Sequence, residues 1–229
     1  MNVEVLGKGS FASALVHLNP GEEFVSEAGA MFRASANVDI DVTTKSRGQG
    51  GIFSGLKRLV GGESFFLSTY SIIDNSPGEV GLAPTHQGEV RVVQLDGSVD
   101  WLCAGGSYLG STPGLRIDTE WQGMKGFFTG ESIFFVSVVG SGLLIVAAFG
   151  SITELEVTED EDLIVDTGHL VAFEDTLDYT ITKAGGSWMQ TWLAGEGLVM
   201  KFNGNGKILV QSHNPNEFGK SLGPLLPPR

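Results

Sequence analysis

Three glutamates close blocks of the same form: LKRLVGGE at 56–63, MKGFFTGE at 124–131 and MQTWLAGE at 189–196. Carboxylates repeated in this way, at Glu63, Glu131 and Glu196, could ring an axis and hold a cation, because hard divalent ions take oxygen ligands. A glutamate after a small-Gly pair also accepts backbone hydrogen bonds and orders the strand that follows. The structural role is the expected one, with a cation site at Glu63/Glu131/Glu196 as the alternative. The acidic positions Glu23, Asp100 and Asp162 lie in turn-like links and carry the same expectation.

No other residue pattern points to a reaction. The histidines are His17, His86, His169 and His213, and none has a neighbour at metal-ligand spacing. A close His-x-His pair with a nearby Glu is missing. So is a G-x-S-x-G nucleophile turn, and the glycine-rich stretch 48–55 precedes no basic-plus-hydroxyl phosphate site. The single cysteine, Cys103, excludes an internal disulfide and any multi-cysteine metal centre. It sits in an apolar run, so a buried, inert thiol is expected. The expectation is a protein without catalytic residues and without a cofactor.

The chain has 229 residues and a formal net charge of −13, from 27 acids against 14 bases. That balance repels phosphate backbones, and nucleic acid is not an expected partner. The 41% hydrophobic content suffices for a core, and the 33 glycines among short apolar runs indicate many tight turns. The stretch Ile133–Gly150 carries no charge and approaches membrane-span length. Gly140-Ser141-Gly142 divides it, so two buried strands joined by a tight turn are expected in place of a membrane helix. The first ten residues lack a basic start followed by an apolar run, and a cytoplasmic location is expected.

The elements that must position these residues are repeated. Segments 16–42, 93–119 and 155–181 align without a gap, at offsets of 77 and 62 residues. Eight columns are apolar in all three: Val16/Val93/Leu155, Leu18/Leu95/Val157, Phe24/Trp101/Leu163, Val25/Leu102/Ile164, Met31/Tyr108/Leu170, Phe32/Leu109/Val171, Val38/Leu115/Leu177 and Ile40/Ile117/Tyr179. Composition alone would produce about two such columns. A glycine column, Gly29/Gly106/Gly168, marks positive φ or a close approach. Period-two spacing at Val16/Leu18 and Val38/Ile40 predicts strands. Asn19-Pro20-Gly21 and Asp96-Gly97-Ser98 predict turns. The fold expected is all-β: one domain over 1–222, of three tandem units (about 1–77, 78–140 and 141–222) in a pseudo-threefold prism, with a loose tail at 223–229. A unit this small cannot bury its own apolar face, so the three must share a core.

Charge is unevenly placed. Lys45, Arg47, Lys57 and Arg58 cluster early, whereas residues 154–178 hold ten acids and no base. Complementarity between subunits or with a partner is one expectation from this asymmetry. The segment 51–62 (GIFSGLKRLVGG) has the pattern of a short amphipathic helix. Its Ile52, Phe53 and Leu56, with Lys57 and Arg58, are the candidate contacts for a partner, a membrane surface or a second copy.

The stretches LKRLVGGESFFLSTYS (56–71) and GEGLVMKFNGNGKILVQSHNPNEF (195–218) carry a family resemblance. They resemble the two signatures of the mitochondrial-biogenesis family, that of the altered-inheritance-of-mitochondria protein twenty-four, in its prokaryotic branch. The resemblance covers essentially the whole chain. It implies a fold similar to the tryptophan RNA-binding attenuation protein, a short double-stranded β-helix. It also implies homo-oligomers and no known catalytic activity. Eukaryotic relatives are linked to inner mitochondrial membrane organisation, a role not carried over to this chain. The function expected is a non-catalytic oligomeric scaffold or binding protein with a protein or membrane-surface partner. The alternatives are a ring-like nucleic-acid-binding protein and a small-ligand binder with a pocket between β units.

Overall fold

Short strands need firm punctuation, and the two predicted turns supply it. Pro20 sets the first corner of one turn, Gly21 takes φ 82°, and the Glu22 N–H donates to the Asn19 carbonyl at 3.0 Å. In the other, the Asp96 carboxylate accepts the Ser98 N–H at 2.8 Å while Gly97 takes φ 87°.

The structure, a computed structural model, describes residues 1–7, 9–43, 65–121, 134–183 and 198–227. The strands are β1 (Asn2–Leu6), β2 (Ser13–Leu18), β3 (Glu23–Glu27), β4 (Met31–Ala34), β5 (Val38–Thr43), β6 (Leu67–Ile72) and β7 (Gly78–Leu82). There follow β8 (Val90–Asp96), β9 (Trp101–Ala104), β10 (Tyr108–Ser111), β11 (Leu115–Trp121) and β12 (Phe134–Ala147). The last group is β13 (Ile152–Val157), β14 (Leu163–Asp166), β15 (Leu170–Glu174), β16 (Asp178–Lys183), β17 (Leu198–Asn203) and β18 (Gly206–Gln211). One short helix, α1 (Pro215–Leu222), comes after them. The protein is thus mostly β, with antiparallel sheets throughout.

One pairing scheme occurs in three successive stretches. In the first, β2 and β4 pair β7 while β3 and β5 pair β6. In the second, β8 and β10 pair the latter half of β12, and β9 and β11 pair its earlier half. In the third, β13 and β15 pair β18 while β14 and β16 pair β17. A bulge shifts the register between Met31 and Arg33, between Tyr108 and Gly110, and between Leu170 and Ala172. These are the same column of the sequence alignment.

Neighbouring stretches join edge to edge. β10 pairs β3, with Gly110 opposite Ser26 and Ser111 opposite Val25. β15 pairs β9, with Ala172 opposite Cys103, Phe173 opposite Leu102 and Glu174 opposite Trp101. These junctions build one long path, β13-β18-β15-β9-β12-β10-β3-β6-β5, with β8 and β11 also on β12. Two smaller sheets remain: β1-β2-β7-β4 and β14-β17-β16.

The expected hairpin at 140–142 is not formed. β12 runs unbroken from Phe134 to Ala147 and its two halves take different partners. Gly140 at φ 115° and Gly142 at φ 153° let the strand pass from one pair of partners to the other without reversing. Among the described residues no helix is long and apolar enough to cross a membrane.

The core is shared between stretches. One cluster joins Val16, Phe24, Tyr70 and Val80 to Leu109 and Ile145 of the second stretch. Another joins Leu102 and Phe135 of the second to Phe173, Met200, Phe202 and Ile208 of the third. A central cluster, containing Cys103, Tyr108, Val136 and Leu144, takes side chains from all three.

Candidate functional site

The cleft between the second and third stretches is the site the fold constructs most fully. The ends of β12 and β18 lie close here, and the residues after them bond to each other: the Ser212 N–H donates to the Ser151 carbonyl at 3.0 Å and the His213 N–H to the Phe149 carbonyl at 3.2 Å. Gln211, the last residue of β18, is buried and holds three segments together. Its side-chain carbonyl accepts the Phe149 N–H at 2.8 Å, its amide donates to the Gly168 carbonyl at 2.9 Å, and its own backbone carbonyl lies 2.8 Å from His169 Nδ1. A carbonyl can only accept, so His169 carries its proton on Nδ1.

The local sequence explains the next turn. Asn214 is the N-cap of α1: its side-chain oxygen accepts the Asn216 and Glu217 N–H groups at 2.9 and 3.3 Å. Pro215 then occupies the first helical turn, where its missing N–H costs nothing. Gly168 makes room for this cap, because a Cβ there would lie 2.1 Å from Asn214 Nδ2. The glycine column therefore serves two purposes. Gly29 and Gly106 adopt positive φ, at 90° and 80°, whereas Gly168 permits a close approach.

An aromatic cluster, its rings tilted or edge-on to one another, lies at the rim. The Phe149 ring has His86 at 5.3 Å, His213 at 5.2 Å and Phe218 at 5.3 Å between centroids. Ser212 Oγ accepts the Ser151 N–H at 3.0 Å and lies 2.8 Å from His213 Nδ1. Either atom can be the donor in this contact, because a hydroxyl that already accepts one N–H keeps a second lone pair. His86 and Phe149, with Gly105, Gly106, Phe134 and Met200, help line a cavity of about 410 Å³. That volume is in the usual range for small-molecule sites, roughly 300–1,000 Å³.

The residues singled out from the sequence fall differently. Glu63, Glu131 and Glu196 lie outside the described residues, as do Ile52, Phe53, Leu56, Lys57 and Arg58 and the basic pair Lys45 and Arg47. Among the described residues no group of three or more His, Cys, Asp or Glu side chains converges as metal ligands. Asp100 accepts the Gly140 N–H at 3.2 Å at the bend of β12, and Asp162 pairs with Lys201 at 2.5 Å. Burial, aided by the neighbouring Asp100 carboxylate, raises the pKa of Asp175. Several acids of 154–178 are engaged within the chain: Glu154 pairs with Lys207 at 3.0 Å and Arg91 at 3.7 Å, and Glu174 accepts the Lys207 N–H at 2.9 Å. Cys103 is fully buried, and desolvation pushes its thiol up to about 12.

Sequence reasoning did not find the cleft. His86, Phe149 and Gln211 are far apart in the chain and share no motif. The available signal was Asn214-Pro215, a helix start that implies a chain turning back over whatever precedes it.

Sheet and cleft together define a class: a mostly β protein of edge-joined antiparallel stretches, with an aromatic-rimmed cavity where two of them meet. The chain belongs to the mitochondrial biogenesis AIM24 family, whose model matches residues 3–213. It is 30% identical over 222 residues to an uncharacterised protein of Streptococcus pyogenes serotype M6, spanning 93% of this chain and 86% of that one. It is also similar to the crystal structure of a Streptococcus pyogenes protein, with TM-score 0.81 and 27% identity over 98% of this chain and 99% of the other.

Proposed function

We propose that this chain is a non-catalytic, oligomeric scaffold or binding protein that works through its surfaces, in the cytoplasm, with a protein or membrane-surface partner. The observation that supports it is the outward placement of large apolar side chains on ordered elements. Phe32 and Ile164 project from strands at 53% and 63% exposure, and Leu225, just beyond α1, stands 79% exposed. Phe32 and Ile164 lie on strands that end their sheets among the described residues, and a bare strand edge carrying large apolar residues is a template for contact with another chain. Nucleic acid is not the partner in this reading, because the net charge of −13 opposes phosphate binding. Native mass spectrometry, run gently and then after denaturation, tests it. A defined homo-oligomer without extra mass is the expected result; single copies would overturn it.

A second reading, a small-ligand binder, is favoured by the cavity between the second and third stretches. A ligand bound there raises the melting temperature, by linkage worth about 2.7 kcal/mol at a hundredfold excess over Kd. A small molecule released on denaturation in the same mass measurement would favour this reading over the first.

A further inference from the structure

The cavity between the second and third stretches differs in charge from the rest of the chain. Among the described residues that line it there is no Asp, Glu, Lys or Arg, although the chain carries 27 acids and 14 bases. A charged molecule entering it gives up hydration and meets no opposite charge. The lining therefore favours an uncharged ligand.

Rings and a thioether supply the apolar part of the wall. A Cβ at Gly105 would lie 2.5 Å from the Phe134 ring, so the missing side chain lets that ring close against the backbone. Phe149 is steadied by the rings of His86, His213 and Phe218 around it. Met200 is fully buried and lines the same cavity. Aromatic rings pack offset or edge-on against other rings, and a methionine side chain makes favourable contacts with them.

One buried hydroxyl on this wall has no partner. Ser107 lines the cavity at 5% exposure. Its backbone is engaged on both sides: the N–H donates to the Ala104 carbonyl at 3.0 Å, and the carbonyl accepts the Ala147 N–H at 2.8 Å. Its side-chain oxygen bonds no other residue and is not sealed inside the protein. Gln211, the other buried polar residue of the lining, already bonds Phe149 and Gly168 through its side chain. A serine hydroxyl can donate once and accept twice, and leaving it unbonded at a buried position carries a desolvation cost that a polar ligand atom removes.

We propose that the cavity binds an uncharged aromatic molecule that hydrogen-bonds the Ser107 hydroxyl and rests its ring against Phe134, Phe149 and Met200. This inference rests on the small-ligand reading above and names the class of ligand.

Four probes with one ring system test it by calorimetric titration of the full chain at neutral pH. They are 2-naphthamide, which is neutral and polar, the 2-naphthoate anion, the 2-naphthylmethylammonium cation, and naphthalene. The amide should bind about tenfold or more tightly than either charged probe, because only the charged probes lose hydration without compensation. Ser107→Ala should weaken the amide by about 3- to 10-fold, the worth of one hydrogen bond, and leave naphthalene unchanged. An equal loss for amide and naphthalene would overturn the role of Ser107. The comparison of probes on the unmodified protein stands even where that variant fails to fold. A charged probe that matches the amide sinks the uncharged class and leaves the small-ligand reading in place. Binding by none of the four overturns the proposal. A small molecule still released from the protein on denaturation would then keep the small-ligand reading, and its absence would remove that reading as well.

Discussion

At the scale of the residue, Gln211 does the most to hold the cleft. Its one amide satisfies a backbone donor at Phe149 and a backbone acceptor at Gly168, in two segments 19 positions apart in sequence. Gln211→Leu keeps the bulk and strands both groups. An unpaired buried polar group costs about 1–3 kcal/mol, so the variant should lose roughly 2–4 kcal/mol in urea unfolding. A loss under about 0.5 kcal/mol would mean that water replaces both bonds. None of this was legible in the sequence. A glutamine ending an apolar strand reads as an exposed residue unless its partners are known.

At the scale of the element, the N-cap of α1 lies against Gly168. Asn214 caps the helix only because Gly168 has no side chain in the way. Gly168→Ala should cost about 1–3 kcal/mol through overpacking and displace the cap. Asn214→Gly in the same chain should recover part of that loss, since glycine caps nearly as well as asparagine and vacates the space. Two additive penalties in the thermal melts would show that the contact is not the cause. Here the sequence was partly informative. The glycine column called for positive φ or a close approach, and each occurs at a different member. The Gly140-Ser141-Gly142 stretch misled, because the same residues serve a hairpin and a bend. The choice was made by β8, β9, β10 and β11, which give the two halves of β12 different partners.

For the whole molecule, the central cluster is the test of cooperativity. It draws on all three stretches, and Cys103 lies within it with no exposed surface. A thiol pushed up to about 12 is ~0.01% thiolate at pH 8. Ellman's reagent should therefore leave the native protein unmodified and react only as denaturant unfolds it. The reaction midpoint should match that of circular dichroism. Labelling well before the main transition would show that the junction of β15 with β9 opens by itself.

The sequence by itself determined the class of fold, the buried face of β2 and the turns at Asn19-Pro20-Gly21 and Asp96-Gly97-Ser98. Those are local matters: period-two apolar spacing selects a buried face, and Asn-Pro-Gly or Asp-Gly-Ser selects a reversal whatever lies beyond it. Tertiary structure alone decided the path of β12, the joining of stretches edge to edge, the cleft around Phe149 and Gln211, and which apolar residues stay outside. Val25, Leu102 and Ile164 share one sequence column, yet two are buried and one is exposed. A side chain's burial depends on whether a neighbouring strand exists to cover it, and at β14 the chain supplies none among its described residues.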